Sequence, residues 1–310
     1  MKYAPILIPT LNRYDHFKRC IDSLAKNKHA KETELYIALD FPLNETHWEG
    51  YNKIIEFVDI IKGFKTINII KRKRNFGAIL NIKEGRKVIF QKYDSMIFSE
   101  DDNEFSPNFL EYINKGLKKY EFDQNVSAIC AYRHPIKLSK NYSNNFFFYK
   151  GFSAWGYATW RHKPIKLEYS LNELKNFIKN RKHIIELNNI SGRHYKNIIE
   201  SIVKNKNRRG DFAVFLNNIE KKQSCVFPVI SKVRNHGHDG SGINCVKKDK
   251  EIFISQEIDE ESHFDFSFIN PLHNDKKINY LFKMYFTLSS KGKIKNIFFK
   301  IFFYLKRIFN

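Results

Sequence analysis

Apolar runs of strand length alternate with amphipathic stretches of helix length through residues 3–131, and this alternation most constrains the fold. The predicted strands are 3–8, 35–39, 67–70, 95–99 and 126–131. The predicted helices are 14–26, 54–61, 79–92 and a segment opened by Pro107, near the first helical position. In the first helix, Phe17, Ile21 and Leu24 recur at spacings of four and three. Such alternation predicts an α/β fold with a mostly parallel sheet flanked by helices.

The pattern is less regular past residue 140. An aromatic segment (146–160) precedes predicted helices at about 171–187, 194–205 and 211–222, then a glycine-rich loop at 236–242. We expect one main domain over 1–245, with halves 1–131 and 132–245. A helical or irregular extension (246–290) and a terminal segment (291–310) follow.

Composition narrows the class of protein. The chain has 29 Phe and 16 Tyr, too many aromatic residues for a disordered chain. Its net charge of +21 indicates an anionic partner: nucleic acid, acidic lipid or a phosphorylated small molecule. The four cysteines lack the spacing of a zinc site or a disulfide framework, which favours a reducing compartment. No apolar run reaches the roughly 18 residues of a membrane span, so we expect a soluble or membrane-surface protein.

Three consecutive carboxylates, Glu100, Asp101 and Asp102, follow the strand at 95–99. Ligands of parallel sheets bind at the carboxyl ends of the strands. Adjacent negative charges repel unless a cation or a set of donors offsets them, and a divalent metal shared with substrate phosphates would do so. The alternative is a solvated acidic turn before the next helix, with Ser106 as its N-cap.

Two other strands are followed by residues suited to a nucleotide. PTLNRYDHF, after the first strand, offers donors for a base or ribose, or only a helix cap at Thr10 or Asn12. The segment 71–77 has four consecutive basic residues that would offset phosphate charge, and Gly77 permits close backbone approach. A solvated basic loop is the alternative for this second segment.

The order of these motifs resembles a known family. PILIPTLNRYDHFKRCIDSL, then Asp40, RNFGAILNIKEG and a strand ending in EDD are similar to the nucleotide-sugar half of GT-A fold glycosyltransferases. The inverting, family-2-like enzymes of bacterial surface polysaccharide synthesis resemble it most, and the EDD with its Pro-headed helix is also similar to the N-acetylglucosaminyltransferase I type. GFSAWGYATWRHK and NHGHDGSGIN resemble a bacterial subgroup with a WGWATW-like segment. The resemblance spans about residues 3–245.

The resemblance implies a nucleotide-sugar donor and a divalent metal, Mn²⁺ or Mg²⁺. The implied donor-binding residues are Pro9, Thr10, Asn12, Arg13, Asp40, Arg74, Asn75, Gly77, Glu100 and Asp101. The implied metal ligands are Asp102 and, from the glycine-rich loop, His236 and His238; incidental loop histidines are the alternative. Glu-Asp-Asp replaces the common DxD, and Asp40-Phe-Pro replaces Asp-Asp-Gly-Ser, so the donor sugar stays open.

Residues for the acceptor side follow from the second half. In the resembled enzymes a carboxylate near the start of a late helix is the catalytic base, and Asp211 holds that place. Helix capping by Asp211 is the alternative, and Glu200 is a weaker candidate for the base. Aromatic rings at Trp155, Tyr157 and Trp160 are suited to stack on an acceptor sugar. A core role is the alternative that aromatic stripes more often have.

The terminal segment, KGKIKNIFFKIFFYLKRIFN, has six basic residues and no acidic one. Its apolar residues fall on one helical face, which is typical of a helix lying in the plane of an anionic membrane. A helix docked on the protein's own core is the alternative.

Together these features predict a metal-dependent glycosyltransferase that is cytoplasmic and peripheral on the inner membrane face. We expect it to act on a glycan or lipid-linked acceptor in capsule or lipopolysaccharide synthesis, with inversion. The rival functions are a sugar-nucleotide pyrophosphorylase, which needs a glycine-rich phosphate loop that PTLNRYDHF lacks, and a nucleic-acid-binding protein, for which no motif is present. A catalytically inactive partner subunit is a further rival, against which the intact EDD and Asp211 argue.

Overall fold

The computed structural model describes residues 3–205, 210–242 and 253–289. The strands are β1 (Ile6–Thr10), β2 (Glu34–Leu39), β3 (Thr66–Ile69), β4 (Ser95–Phe98), β5 (Asn103–Phe105), β6 (Val126–Cys130), β7 (Phe146–Tyr149), β8 (Tyr157–Trp160), β9 (Ser224–Pro228) and β10 (Val233–Asn235). The helices are α1 (Tyr14–Ala25), α2 (Trp48–Val58), α3 (Gly77–Phe90), α4 (Phe109–Lys119), α5 (Leu171–Lys179), α6 (Arg181–Ser191), α7 (Arg193–Asn205), α8 (Gly210–Glu220) and α9 (Lys276–Ser289).

Eight of the described strands form one sheet in the order β3-β2-β1-β4-β8-β6-β9-β7. The first four in this order run parallel, while β8 pairs antiparallel with both β4 and β6. Strands β5 and β10 form a separate antiparallel ribbon. Because β1, β2 and β4 are parallel, the residues that follow them meet at one edge of the sheet, here called the carboxyl edge. The predicted class, α/β with a mostly parallel sheet flanked by helices, is confirmed.

Each face of the sheet carries its own apolar core. Helices α1, α2 and α4 pack on one face and share a cluster with the alternate residues Ile6 and Ile8 of β1. Helices α3, α5–α9 and Leu7 of β1 belong to the cluster on the other face. This division follows from the strand period of two, since neighbouring side chains point to opposite faces. The described cysteines, Cys20, Cys130 and Cys225, are buried and free.

Some predicted boundaries were wrong for identifiable reasons. The helix expected over about 171–187 is interrupted at Asn180, whose extended backbone ends α5 and whose side chain accepts from the first N–H groups of α6. Ser106 is not the N-cap of α4: Asn108 holds that position, so Pro107 precedes the cap instead of opening the helix. The aromatic segment after residue 140 forms β7 and β8, which the sequence left unassigned.

None of the helices in the described residues is long and apolar enough to cross a membrane. The predicted membrane-binding helix at 291–310 lies outside the described residues.

Candidate active site

Arg13 bridges the two aspartates that follow β4. Its guanidinium forms an ion pair with Asp101 and another with Asp102, where Nη1 and Oδ2 are 2.9 Å apart. The Thr10 hydroxyl donates to Oδ2 of Asp101 at 2.8 Å. Both aspartates are buried. The loops after β1 and β4 are therefore joined at the carboxyl edge by one cation and two carboxylates.

The β5–β10 ribbon positions Asp102 from the other side. Asn235 donates from Nδ2 to Oδ1 of Asp102 at 2.7 Å, and the backbone N–H of His236 donates to the Asp102 carbonyl at 2.8 Å. A Cβ at Gly237 would lie 2.1 Å from Oδ2 of Asp102, so only glycine allows this approach. The sequence analysis missed Asn235 and Gly237. Their one sequence signal is that they border the histidines of the NHGHDGSG loop.

Negative charge in this cluster is only partly balanced. Burial, followed by repulsion from Asp102 and Asp211, raises the pKa of Glu100 well above its ordinary value. Burial also raises the pKa of Asp101, although the charge of Arg13 opposes the shift. Although its own burial acts the other way, Asp101 and Asp102 raise the pKa of Arg13, which stays charged. A site that disfavours its carboxylates' ionised form in this way attracts further positive charge.

The donor set fits a hard divalent cation. Such ions take oxygen ligands, and here three acidic side chains face one arginine. Among the described residues, no group of three or more His, Cys, Asp or Glu side chains is already arranged around a metal position. A metal held by Asp101 and Asp102 would therefore need further ligands from a bound molecule or from water.

Asp211 stands in the first turn of α8 and is exposed. The surrounding protein removes part of its carboxylate's hydration and raises its pKa to about 6, while the backbone N–H of Ala154 donates to it and opposes the shift. Asp211 is close enough to Glu100 to contribute to that residue's raised pKa. The structure thus places an accessible carboxylate, ionised at neutral pH, within electrostatic range of Glu100.

Asp40 organises the neighbouring part of the carboxyl edge. Its Oδ1 accepts from the backbone N–H groups of Phe41 at 2.9 Å and Phe76 at 2.8 Å. Asn75 donates from Nδ2 to the Phe41 carbonyl at 2.6 Å. Gly77 has φ of +70°, and a Cβ there would meet nothing within 4 Å. The loops after β2 and β3 are therefore joined around Asp40, beside open space.

The other predicted donor-binding residues occupy the same edge less tightly. Pro9 lies within β1, and Asn12 is half-buried in the loop that follows. A Cβ at Gly50 would lie 1.9 Å from the Asn12 carbonyl oxygen, so α2 packs closely on this loop. Arg74 is exposed, with its guanidinium 5.7 Å from the centre of the Phe76 ring.

The two loop histidines have protein partners. His236 shares a hydrogen bond of 2.7 Å between Nε2 and Oε2 of Glu104. The ring of His238 stacks on Phe253 with centroids 4.0 Å apart. Their assignment as metal ligands stays a prediction. The same loop is joined to α1 by a hydrogen bond of 2.8 Å between His16 Nε2 and Asp239 Oδ2, a contact that the sequence did not predict.

The aromatic candidates separate into two groups. Tyr157 and Trp160 lie in β8 and are 2% exposed, and the Trp160 indole donates to the Leu117 carbonyl at 3.2 Å. This packing is the core role that the sequence left open as the alternative. Trp155 is half-buried and packs edge-on against Tyr132. Glu200 pairs with Lys196 on the exposed surface of α7, as its amphipathic helix indicated.

Comparison with known proteins identifies the family of this chain. Residues 6–169, just over half of the chain, match the model of glycosyl transferase family 2. The chain belongs to that family. The resemblance to a GT-A fold, family-2-like glycosyltransferase is confirmed. The matched segment contains β1–β8 and every predicted donor-binding residue.

Solved structures show more distant likeness. The S. aureus TarS 1–349 structure has 14% identity and a TM-score of 0.36, covering 51% of this chain and 47% of that one. The same TarS fragment in complex with UDP-GlcNAc has 14% identity and a TM-score of 0.38, covering 78% and 61%. The mannosyltransferase PcManGT from Pyrobaculum calidifontis, in complex with GDP-Man and Mn²⁺, has 10% identity and a TM-score of 0.39, covering 71% and 68%. No curated protein sequence matches significantly.

Proposed function

We propose that this glycosyltransferase moves a sugar from a nucleoside diphosphate donor to a glycan or lipid-linked acceptor in surface polysaccharide synthesis, with inversion. One observation carries the proposal: the buried pair Asp101 and Asp102 follows Glu100, whose pKa is raised in part by the charge of an accessible carboxylate, Asp211, at the start of a helix. Donor activation and acceptor activation require these two kinds of group on opposite sides of one sugar.

The donor side is built by the carboxyl edge. Asp40 is the proposed acceptor for the N–H of a base, and it joins loops that lead to Gly77, where a Cβ would meet nothing within 4 Å. Arg13 and Arg74 supply positive charge for a diphosphate. A divalent metal held by Asp101 and Asp102 would stabilise the negative charge that develops on the leaving nucleoside diphosphate.

Asp211 is the proposed base. Because its pKa is about 6, it is mostly ionised at neutral pH and yet basic enough to take a proton from an acceptor hydroxyl. The freed oxygen attacks the anomeric carbon as the bond to the diphosphate breaks. A single displacement of this kind inverts the configuration. The hydrogen bond from Ala154 fixes the direction of the Asp211 carboxylate.

The proposed location is the inner face of the cytoplasmic membrane. The support is the pattern of the terminal segment, where six cations accompany a continuous apolar face. A membrane-bound enzyme would meet a lipid-linked acceptor in the plane of the bilayer.

Replacing Asp102 tests the donor site. We expect Asp102→Ala to abolish metal-dependent binding of UDP or GDP, measured by titration calorimetry with Mn²⁺, because it removes the proposed metal ligand. Asp94→Ala is the matched control, since Asp94 precedes β4 at the opposite end of the strand and pairs with Arg161 on the surface. Unchanged nucleotide affinity in Asp102→Ala would show that the site is assigned to the wrong residues.

A further inference from the structure

We propose that Arg13 is an exchangeable counter-cation of the donor site. In the free protein it holds Asp101 and Asp102, and it leaves them when a nucleoside diphosphate and its divalent metal bind together. The inference rests on the proposed function, because it assumes that a diphosphate and a metal share this site. It adds a coupling between the two ligands that neither carboxylate alone would produce.

Each of the four carboxylate oxygens already has one partner. Asp101 accepts from Arg13 at Oδ1 and from Thr10 at Oδ2. Asp102 accepts from Asn235 at Oδ1 and is paired with Arg13 at Oδ2. A metal that binds either aspartate must therefore share an oxygen with one of these donors or displace the donor. Arg13 is the donor common to both aspartates, and among these three donors it alone carries a charge.

A metal at this site would also be repelled by the charge of Arg13. The guanidinium already supplies one positive charge to the cluster, and its ion pairs raise its own pKa. A dication placed on the same two carboxylates would lie within a few ångströms of that charge, where repulsion between cations is strong in a buried setting. Metal and paired arginine therefore exclude each other at these oxygens.

The Arg13 side chain is placed where it can leave the two carboxylates and bind a diphosphate. Its side chain is 21% exposed, against 7% and 6% for its two partners, so it lies on the open side of the cluster. Arg13 is the residue immediately before α1, and it lies in the loop that borders the proposed donor-binding site. A guanidinium matches a phosphate with two parallel hydrogen bonds. A diphosphate thus offers the released side chain a replacement for the carboxylates.

The consequence is mutual dependence. Metal alone must displace Arg13 with no anion to receive it, so it binds weakly. With a diphosphate present, both cations have partners. By linkage, each ligand then raises the affinity of the other by the same factor. The donor is accordingly expected to enter as its metal complex.

The test measures Mn²⁺ binding by electron paramagnetic resonance of the free ion, with and without UDP or GDP. In Arg13→Gln we expect Mn²⁺ alone to bind at least about tenfold more tightly than in the wild type, because the competing charge is gone. The gain in Mn²⁺ affinity on adding nucleotide should shrink by a similar factor. Arg19→Gln, which removes an exposed arginine of α1 whose guanidinium faces His16, should behave as the wild type.

Arg13→Lys is a second variant that keeps the proposal testable if Arg13→Gln does not fold. Lysine keeps the charge but cannot span two carboxylates with a planar fork, so its Mn²⁺ affinity should fall between the wild type and Arg13→Gln. Equal Mn²⁺ affinity in the wild type and in a folded Arg13→Gln, or in Arg13→Lys if the first does not fold, overturns the proposal. If the wild type binds no Mn²⁺ even with nucleotide, the metal-dependent function itself fails, and Arg13 exchange fails with it.

Discussion

Removing the Asp211 carboxylate while leaving its shape should separate donor binding from transfer. We expect Asp211→Asn to lower kcat at least about 100-fold, the low end for removal of a general base, while donor affinity stays unchanged. The side chain is exposed and its one described backbone donor outside its own helix is the Ala154 N–H, so the amide can occupy the same position. Glu200→Gln is the matched control, because Glu200 is a surface carboxylate paired with Lys196.

The pH dependence of kcat/KM tests Asp211 as the base in a second way. A base with a pKa of about 6 is about nine-tenths ionised at pH 7 and about one-tenth ionised at pH 5. The wild-type kcat/KM should therefore fall about tenfold between these values and then about tenfold for each further pH unit. This fall in kcat/KM toward acid pH should be absent in Asp211→Asn. The assay is nucleoside diphosphate release with a glycan acceptor from pH 4.5 to 8, at constant ionic strength.

The free energy of unfolding should also depend on the ionisation of Asp211, and the raised pKa fixes the sign of this dependence. The pKa of Asp211 is raised on folding, so its ionised form opposes folding above pH 6 and this cost disappears as pH falls toward 4. For a fully buried group the cost would be about 3 kcal/mol, but solvent screening of an exposed side chain reduces it to roughly 1 kcal/mol. Asp211→Asn should thus fold at least as stably as the wild type at pH 8. Wild-type turnover in the variant, or a pH profile that keeps its acid limb, would remove Asp211 from the mechanism.

Three further perturbations probe other parts of the molecule. Gly237→Ala should weaken Mn²⁺-dependent nucleotide binding at least about tenfold, since its Cβ would overlap Asp102; unchanged affinity by calorimetry would count against this packing. Gly116→Val should lower the free energy of unfolding in urea by about 1–3 kcal/mol, because a Cβ there lies 2.9 Å from Ile129, and an unchanged midpoint would contradict it. Truncation after Leu288 should release the protein from anionic liposomes in flotation while sparing transfer to a soluble acceptor; continued flotation would exclude the tail as anchor.

Strands β2 and β4 could be predicted from sequence because nearly all of their residues are buried, on both faces of the sheet. Such strands appear as continuous apolar runs, and 35–39 and 95–99 match β2 and β4 within one residue at each end. The first strand was displaced, with 3–8 predicted and Ile6–Thr10 found. Because proline is unusual inside a strand, Pro9 led the predicted strand to end too early. Proline is tolerated at this position because β4 pairs only with Ile6 and Leu7 of β1.

The candidate site was predicted where it depends on strand ends and missed where it depends on long-range packing. Asp101, Asp102 and Arg13 follow strands whose carboxyl ends share one edge of a parallel sheet, so their placement at that edge was predictable, whereas their ion pairs were not. The contact between Asn235 and Asp102 joins residues 133 positions apart through a short ribbon. No local pattern specifies that pairing. The burial of Trp160 likewise depends on β8 entering the middle of the sheet, between β4 and β6.

The central claim is that the carboxyl edge binds a nucleoside diphosphate sugar together with a metal. Thermal unfolding with UDP-, GDP- and dTDP-sugars, with and without Mn²⁺, tests it directly, and a CMP-sugar serves as the control without a diphosphate. A donor at about 100 times its Kd stabilises the folded state by about 2.7 kcal/mol, or roughly 4 °C for a chain of this size. The account predicts such a shift for one diphosphate donor, only with Mn²⁺, and none in Asp102→Ala. A wild type that no donor stabilises, or an equal shift in Asp102→Ala, would contradict it.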